Sequence, residues 1–291
     1  MNYAPQLLNY LSSTQDFTEV ILAPKASPME RTGNILKKVM DVTFSPEDIR
    51  DTLIALRSHT PVALGPLGRE GFFSFGIPNI GRFRVAYITQ RGSYVVSITR
   101  VPFDIPEPES ILEKPSDISD LKRAIIDEFT GIVAIVGISQ IKNNLLAYSV
   151  IKKINQEEQK VIYIIERPIS YLIKHGNSII IQREVGIDVD NFEEGIRDAM
   201  LINPDIIYVS DVSAKEDMIA LMHIAELSIP VLISVAVSDE NALIRMLELN
   251  LKEDFKEFTK VLSKVIKVSH SPNSKLTVSI SDIKPLVEKI H

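Results

Sequence analysis

The chain contains no cysteine. Disulfide frameworks, thiolate metal sites, iron–sulfur clusters and cysteine nucleophiles are therefore excluded. Long apolar runs are missing too. No stretch approaches the roughly 18 uninterrupted hydrophobic residues of a membrane span, so direct membrane insertion is not expected. The opening segment, Met1 to Ser12, lacks a basic region followed by a hydrophobic one, so no secretory signal is expected. Five histidines (His59, His175, His223, His270, His291) are scattered, with no pair at metal-ligand spacing, and no metal site is expected. The balance of 32 basic and 38 acidic residues, a net charge of −6, argues against a general nucleic-acid binder and leaves room for a local basic patch. Glycine is scarce: 12 of 291 residues, roughly 4% where about 7% is usual.

What remains is a cytoplasmic protein long enough for two domains, each with its own core. The clearest boundary is residues 102–117, PFDIPEPESILEKPSD, whose four prolines remove amide donors and fix φ; this reads as an extended linker. Before it, residues 1–101 read as α+β with an antiparallel sheet. A helix is expected over Gln6–Leu11, with short strands at Val20–Ala23 and Ile35–Val39. Ser45-Pro46-Glu47 marks a helix start, with Ser45 as cap, Pro46 at the first position and Glu47 at the positive dipole end. Gly71–Ile77 and Arg82–Thr89 form a hairpin, followed by a strand at Tyr94–Arg100.

After the linker, residues 118–291 alternate apolar strands with helical periods. Strands are expected at Ile132–Val136, Val161–Ile165, Ile206–Val209 and Val231–Val235. The helices between and after them are Asn143–Ile154, Phe192–Leu201, Lys215–Leu227 and Glu240–Leu249. Continuous Ile/Val runs are strands buried on both faces, and alternation of this kind is the doubly wound α/β class. A helix over Asp254–Val268, a strand at Leu276–Ile280 and a short terminal helix complete the reading.

Open parallel sheets bind ligands beyond the carboxyl ends of their strands. The first such end is Val136-Gly137, running through Ile138-Ser139-Gln140-Ile141-Lys142-Asn143-Asn144 into a helix. A phosphate loop there needs G-x-x-x-x-G-K-[ST]: glycines turn backbone amides inward, Lys pairs the phosphates and the hydroxyl binds Mg²⁺. Of those fixed positions only Gly137 matches.

Other stretches are more telling. They are Gly81-Arg82-Phe83-Arg84-Val85, Gln90-Arg91-Gly92 and Arg100-Val101-Pro102, then Gln182-Arg183-Glu184-Val185-Gly186 and Asn203-Pro204-Asp205-Ile206-Ile207-Tyr208-Val209-Ser210-Asp211. In order and spacing these resemble motifs of the PilT-like pilus-retraction motors, a branch of the type II/type IV secretion ATPases. Those motifs read ARFRVN, QRG, R-x-IP, QREVG and DPDIILVGE. The likeness runs without gaps from about Gly131 to Leu247, extends with small gaps over residues 5–102 and fades after Leu249.

The resemblance implies a PAS-like domain followed by a RecA-like, P-loop NTPase-fold domain. It also implies a hexameric ring and ATP bound near arginines of the first domain. Arg82, Arg84, Arg91 and Arg100 match those arginines. Read from the residues alone, Arg82 and Arg84 share one strand face, which a solvated face or structural ion pairs would also explain; phosphate contact suits their planar donor forks.

The chemistry departs from the family. Laid on Gly137–Leu145, the motif GPTGSGKST loses its middle glycine to Gln140 and its last to Lys142. Its Lys becomes Asn143 and its Mg²⁺-binding hydroxyl becomes Asn144; Gly137 and Ser139 are the remnants. Lys142 reads either as a displaced cation or as part of a plain helix N-terminus capped by Asn143 or Asn144. Asn144 retains a carbonyl that a metal can accept. The acidic box IEDPIE keeps Glu166 but places Arg167 beside it, which makes Glu166 either a remnant catalyst or a salt-bridged structural acid. The Walker B Glu falls on Asp211, and two family histidines fall on Ile229 and Ala236.

The pattern points to a non-catalytic PilT-like pseudo-ATPase in a type IV pilus or secretion motor, working at the cytoplasmic side. Its partners would be itself or an active paralogue in a ring. No cofactor is expected, or Mg-ATP if binding persists. The alternatives are a weakly active motor using Glu166 and Asp211, and a stand-alone scaffold.

Overall fold

The computed structural model describes residues 1–14, 18–32, 35–78, 80–127, 131–270 and 275–283. The chain divides into two compact units, Met1–Asp104 and Ile105–His291.

In the first unit, α1 (Ala4–Ser13) precedes β1 (Glu19–Leu22), β2 (Met29–Thr32) and β3 (Ile35–Lys38). Then come α2 (Pro46–Arg57), β4 (Glu70–Ile77), β5 (Gly81–Gln90) and β6 (Ser93–Val101). The strands form one antiparallel sheet in the order β3-β2-β1-β6-β5-β4. Leu7 and Leu11 of α1 and Ile49, Leu53 and Leu56 of α2 bury their apolar stripes with Phe73, Phe75, Phe83, Val85, Val96 and Ile98 of the sheet. The α2 start follows the expected chemistry with one change of partner. Ser45 Oγ accepts from the Asp48 amide and the Asp48 carboxylate accepts from the Ser45 amide, a capping box closed by Asp48. In β5–β6, Gln90 pairs with Ser93, leaving Arg91 (φ +50°) and Gly92 (φ +78°) as a two-residue turn of the primed type. Strand β2, four residues with polar character, was not expected from its sequence.

The second unit begins inside the expected linker. Residues 105–117 are not a free extended segment. They include α3 (Pro108–Ile111), and they are held by Lys152 to Glu107, by Lys153 to Glu109 and by the Glu113 amide donating to the Leu276 carbonyl. Prolines restrict the chain without preventing it from packing. Next comes α4 (Asp117–Lys122), continued by a π-helical turn over Arg123–Asp127.

Then follow β7 (Ile132–Val136), α5 (Gln140–Glu157), β8 (Val161–Glu166), β9 (Ile179–Glu184) and α6 (Phe192–Ile202). After these come β10 (Ile206–Ser210), α7 (Lys215–Glu226), β11 (Val231–Val235) and α8 (Glu240–Leu251). A 3₁₀ turn leads to α9 (Phe255–Val261), β12 (Leu262–His270) and β13 (Leu276–Asp282). The sheet order is β13-β12-β7-β11-β10-β8-β9. All neighbours are parallel except the β12–β13 pair. This confirms the doubly wound arrangement, with β7 flanked by β11 on one side and β12 on the other.

Two expectations change at the carboxyl end. The helix over Asp254–Val268 stops at Val261, and Leu262–His270 is a strand. Phe258, Leu262, Val265 and Ile266 recur at helical spacing, yet the β-branched Val265 and Ile266 pair with β7 on one side and β13 on the other, and Val268 pairs with β13. Tertiary pairing overrides the local period. The expected terminal helix lies outside the described residues. Strand β9 was also unforeseen.

Gly131 sets the entry into β7. It holds φ +113°, and a Cβ built on it would lie 2.0 Å from the Val261 carbonyl oxygen. Backbone cannot yield as a side-chain tip can. Gly131→Ala is therefore expected to cost about 2–4 kcal/mol through strain and overlap, read as a fall of several degrees in calorimetric melting temperature.

Candidate functional site

Only three residues, Gly137, Ile138 and Ser139, separate the end of β7 from α5. The helix begins at Gln140, three positions earlier than its apolar period suggests. Asn143 and Asn144 are therefore not caps but buried residues of the first turns. Ser139 occupies the cap position with extended backbone; its carbonyl accepts from the amides of Lys142 and Asn143 at 3.0 Å, and its hydroxyl makes no capping bond. The connection is a short, direct turn.

Asn143 fastens that turn. Its Nδ2 donates to the carbonyls of Gly137 and Val235, each at 3.0 Å, joining α5 to the ends of β7 and β11. This amide is fully buried and faces inward. Gly137 survives for a matching reason. A Cβ there would meet Asn143 Oδ1 at 2.6 Å and the Val268 carbonyl at 2.9 Å.

Asn144 is the hub of a second, larger network. Its Nδ2 donates to Glu166 Oε1 at 3.0 Å and to Ser170 Oγ at 2.9 Å. Its Oδ1 accepts from Gln140 Nε2 (2.7 Å), Ser234 Oγ (2.9 Å) and Tyr208 OH (3.1 Å). The carbonyl that could have served a metal is thus occupied by three donors. Gln140, where the family has a glycine, also reaches Ser234 Oγ at 2.7 Å.

Glu166 sits at the bottom of this network with no solvent exposure. It accepts from Asn144, from the Tyr148 hydroxyl, and from both the amide and the hydroxyl of Ser170 at 2.9 and 3.0 Å. A buried carboxylate demands such compensation. Burial, and then the Glu166 charge, push the Tyr148 phenol well above its usual range, so it stays a proton donor. Gln182 extends the network, donating to Tyr148 OH and the Tyr171 carbonyl and accepting from the Ile173 amide. Arg183 donates to the Asp188 carbonyl and lies 3.4 Å from Asp198. The Gln-Arg-Glu-Val-Gly stretch is therefore internal scaffolding of this unit.

The remaining sequence-flagged residues lie apart from the hub. Asp211 is exposed just beyond β10, in left-handed backbone (φ +58°), with its amide donating to the Ser234 carbonyl. Arg167 places its guanidinium 5.5 Å from the Phe192 ring centroid. Ile229 is core, and Ala236 is exposed after β11. In the first unit, Arg82 donates to Ser74, and Arg84 lies on the same face of β5, opposite Phe83 and Val85. Arg91 forms the β5–β6 turn. Arg100 donates to the carbonyls of Thr14 and Ile80, clasping the loop before β1 to the β4–β5 turn.

A cavity of about 250 Å³ lies at the ends of β7 and β12, lined by Ile138, Ser139, Lys142, Ser238, Lys267 and Val268 among others. That falls below the roughly 300–1,000 Å³ usual for pockets that enclose drug-sized ligands. Desolvation lowers the Lys142 ammonium pKa there, while Lys267 is 3.8 Å from Glu240. Among the described residues no cluster of three or more His, Asp or Glu is placed to hold a metal. Gln140, Asn144, Glu166 and Gln182 of the network, and Gly137, Ser139 and Lys142 of the cavity, were flagged in the sequence one by one; their assembly was not, because the network also draws on Tyr148, Ser170, Tyr208 and Ser234, and the cavity on Ser238 and Lys267.

No protein-family model matches the chain. It is 28% identical over 201 residues to the type IV pilus ATPase PilU of Pseudomonas aeruginosa, covering 69% of this chain and 51% of that protein. It is 26% identical over 191 residues to a twitching motility protein of Neisseria gonorrhoeae, covering 65% of this chain and 50% of that one. The chain thus spans about half the length of the curated relatives it matches. Among solved structures, the pilus retraction motor PilT with bound ADP superposes with a TM-score of 0.73 at 22% identity, over 100% of this chain and 87% of that chain. The ATPase DotB of Legionella pneumophila follows at 0.72 and 16%, over 100% and 84%. These structural likenesses establish the mixed α/β fold with its two sheets.

Removing the hub leaves buried groups unpaired on several sides. Asn144→Ala is expected to cost about 2–4 kcal/mol, since each stranded polar group costs roughly 1–3. Chemical denaturation would register this as a lower midpoint with an unchanged slope.

Proposed function

This chain belongs to the PilT-like family of type II/type IV secretion ATPases, and from that premise we propose that it is a pseudo-ATPase serving a type IV pilus or related secretion motor. The observation that carries the proposal is the Asn144 hub. Side chains at the positions of the phosphate loop and acidic box satisfy one another, and they do so in the interior. Glu166 is sealed from solvent and surrounded by donors, the Asn144 carbonyl already accepts from three donors, and Asn143 spends its amide on backbone carbonyls. A reading as an active motor would require Glu166 and Asp211 to act together, yet one is sealed and the other is on the surface.

In this reading the first unit is PAS-like, the second is RecA-like, and the protein acts at the cytoplasmic side. It works within a ring built with itself or with an active paralogue. Its contribution to such a ring comes from arginines of the first unit. Arg84, on the same face of β5 as Arg82, is the one we assign to that contact. The arginine fork suits a neighbour's phosphate or its acids.

Nucleotide binding is tested directly by melting. A ligand at 100 times its Kd adds about 2.7 kcal/mol of stability. The expected result with millimolar Mg-ATP is no change in melting temperature; a clear rise would overturn the non-binding reading. The ring role has its own readout. Wild-type protein mixed with an active PilT-like ATPase should alter that enzyme's turnover, and Arg84→Ala should abolish the alteration while the variant still unfolds cooperatively. Mass measurement of the mixture separates this role from a stand-alone scaffold, which would leave both partners unassociated.

A further inference from the structure

The surface of the first unit carries one strand unlike the others. All four residues of β3, Ile35, Leu36, Lys37 and Lys38, are exposed, Ile35 at 72% and Leu36 at 54%. The strand ends its sheet and pairs on one side only, with β2. Consecutive strand residues point to opposite faces. Each face of β3 therefore carries one apolar side chain and one ammonium: Ile35 with Lys37 on one, Leu36 with Lys38 on the other. On both faces the apolar residue is nearer the β2–β3 connection, and the cation stands two residues behind, about 7 Å along the strand.

Charge supports the same picture. Residues 31–38 contain Arg31, Lys37 and Lys38 and no acid, within a chain of net charge −6. Arg31 lies opposite Leu36 across the ribbon. The cations are only lightly engaged: Arg31 is 3.5 Å from Glu19, and Lys38 bonds Asp41 at 2.9 Å, both in exposed pairs of little strength. Glu30, opposite Lys37, accepts from the Tyr10 hydroxyl.

A groove on a protein partner would cover one face of this ribbon and leave the other apolar residue in water. The interfacial layer of a bilayer covers both at once. It offers hydrocarbon to the leading residues and anionic headgroups to the cations set behind them. We propose that the β2–β3 ribbon is a peripheral membrane contact, with Ile35 and Leu36 entering the interface of an anionic bilayer and Lys37, Lys38 and Arg31 resting on its phosphates. Two apolar residues and three cations make a weak, reversible attachment. The ribbon lies on the membrane and does not span it. The inference is independent of the nucleotide reading.

The absence of tryptophan from the chain permits a clean reporter. Leu36→Trp places a single indole on the ribbon. Its emission should shift to the blue on vesicles of mixed phosphatidylglycerol and phosphatidylcholine, stay unshifted on phosphatidylcholine alone, and return to its free position in high salt. Vesicle flotation of the otherwise unaltered chain should give the same lipid and salt preference. Lys37→Glu and the pair Ile35→Ser with Leu36→Ser should each reduce partitioning by roughly tenfold. Because these side chains are exposed, melting temperatures should stay within a degree or so. Failure of the unaltered chain to float with anionic vesicles would overturn the proposal, as would equal flotation of the variants. So would recognition of an acidic protein by the ribbon in the absence of any vesicle binding.

Discussion

A carboxylate buried without solvent has to be surrounded by donors, and much of the second unit follows from meeting that demand at Glu166. Asn144 supplies one donor, which fixes the rotation of α5. Tyr148, one helical turn further along, supplies another from the same face. Ser170 supplies two, which fixes how the chain leaves β8. Gln182 on β9 then braces Tyr148 and the segment around Tyr171 and Ile173. On its other side Asn144 gathers Gln140, Tyr208 and Ser234, so that one amide ties β10 and β11 to the start of α5. The helix has to begin at Gln140 for that side chain to reach across.

The strand–helix alternation was legible because continuous Ile and Val runs such as Ile132–Val136 and Val231–Val235 admit few other readings. The capped start of α2 was legible because Ser45 and Pro46 act locally. What escaped were features set by partners distant in sequence. Residues 262–268 repeat at helical spacing and become a strand because β7 and β13 are there to pair with them. Proline-rich residues 105–117 looked solvent-borne and are pinned by lysines of α5. At the site, Asn143, Asn144 and Glu166 stood out one by one from the likeness to the phosphate-loop and acidic-box motifs. The internal network that joins them did not, since Tyr208 and Ser234 look like ordinary strand residues.

The arginines divide along the same line. Their shared position in β5 and β6 resembled a phosphate-facing set, but geometry gives them different employments. Arg100 is a structural clasp, Arg91 belongs to a tight turn that Gly92 completes, and Arg82 leans on Ser74. A motif in a sequence can therefore answer to what the backbone requires. Asp211 and Ser228 likewise hold left-handed backbone without being glycine.

Gly137 shows how closely this interior is fitted: Asn143 and the β12 backbone crowd the space a side chain would need. A lysine in place of Asn143 would thrust an ammonium among carbonyls already bridged. A serine in place of Asn144 would strand Glu166. Each such single change gives a less stable chain, because the groups it abandons are buried. The interior network thus makes its members interdependent, each polar side chain holding its place because the others hold theirs.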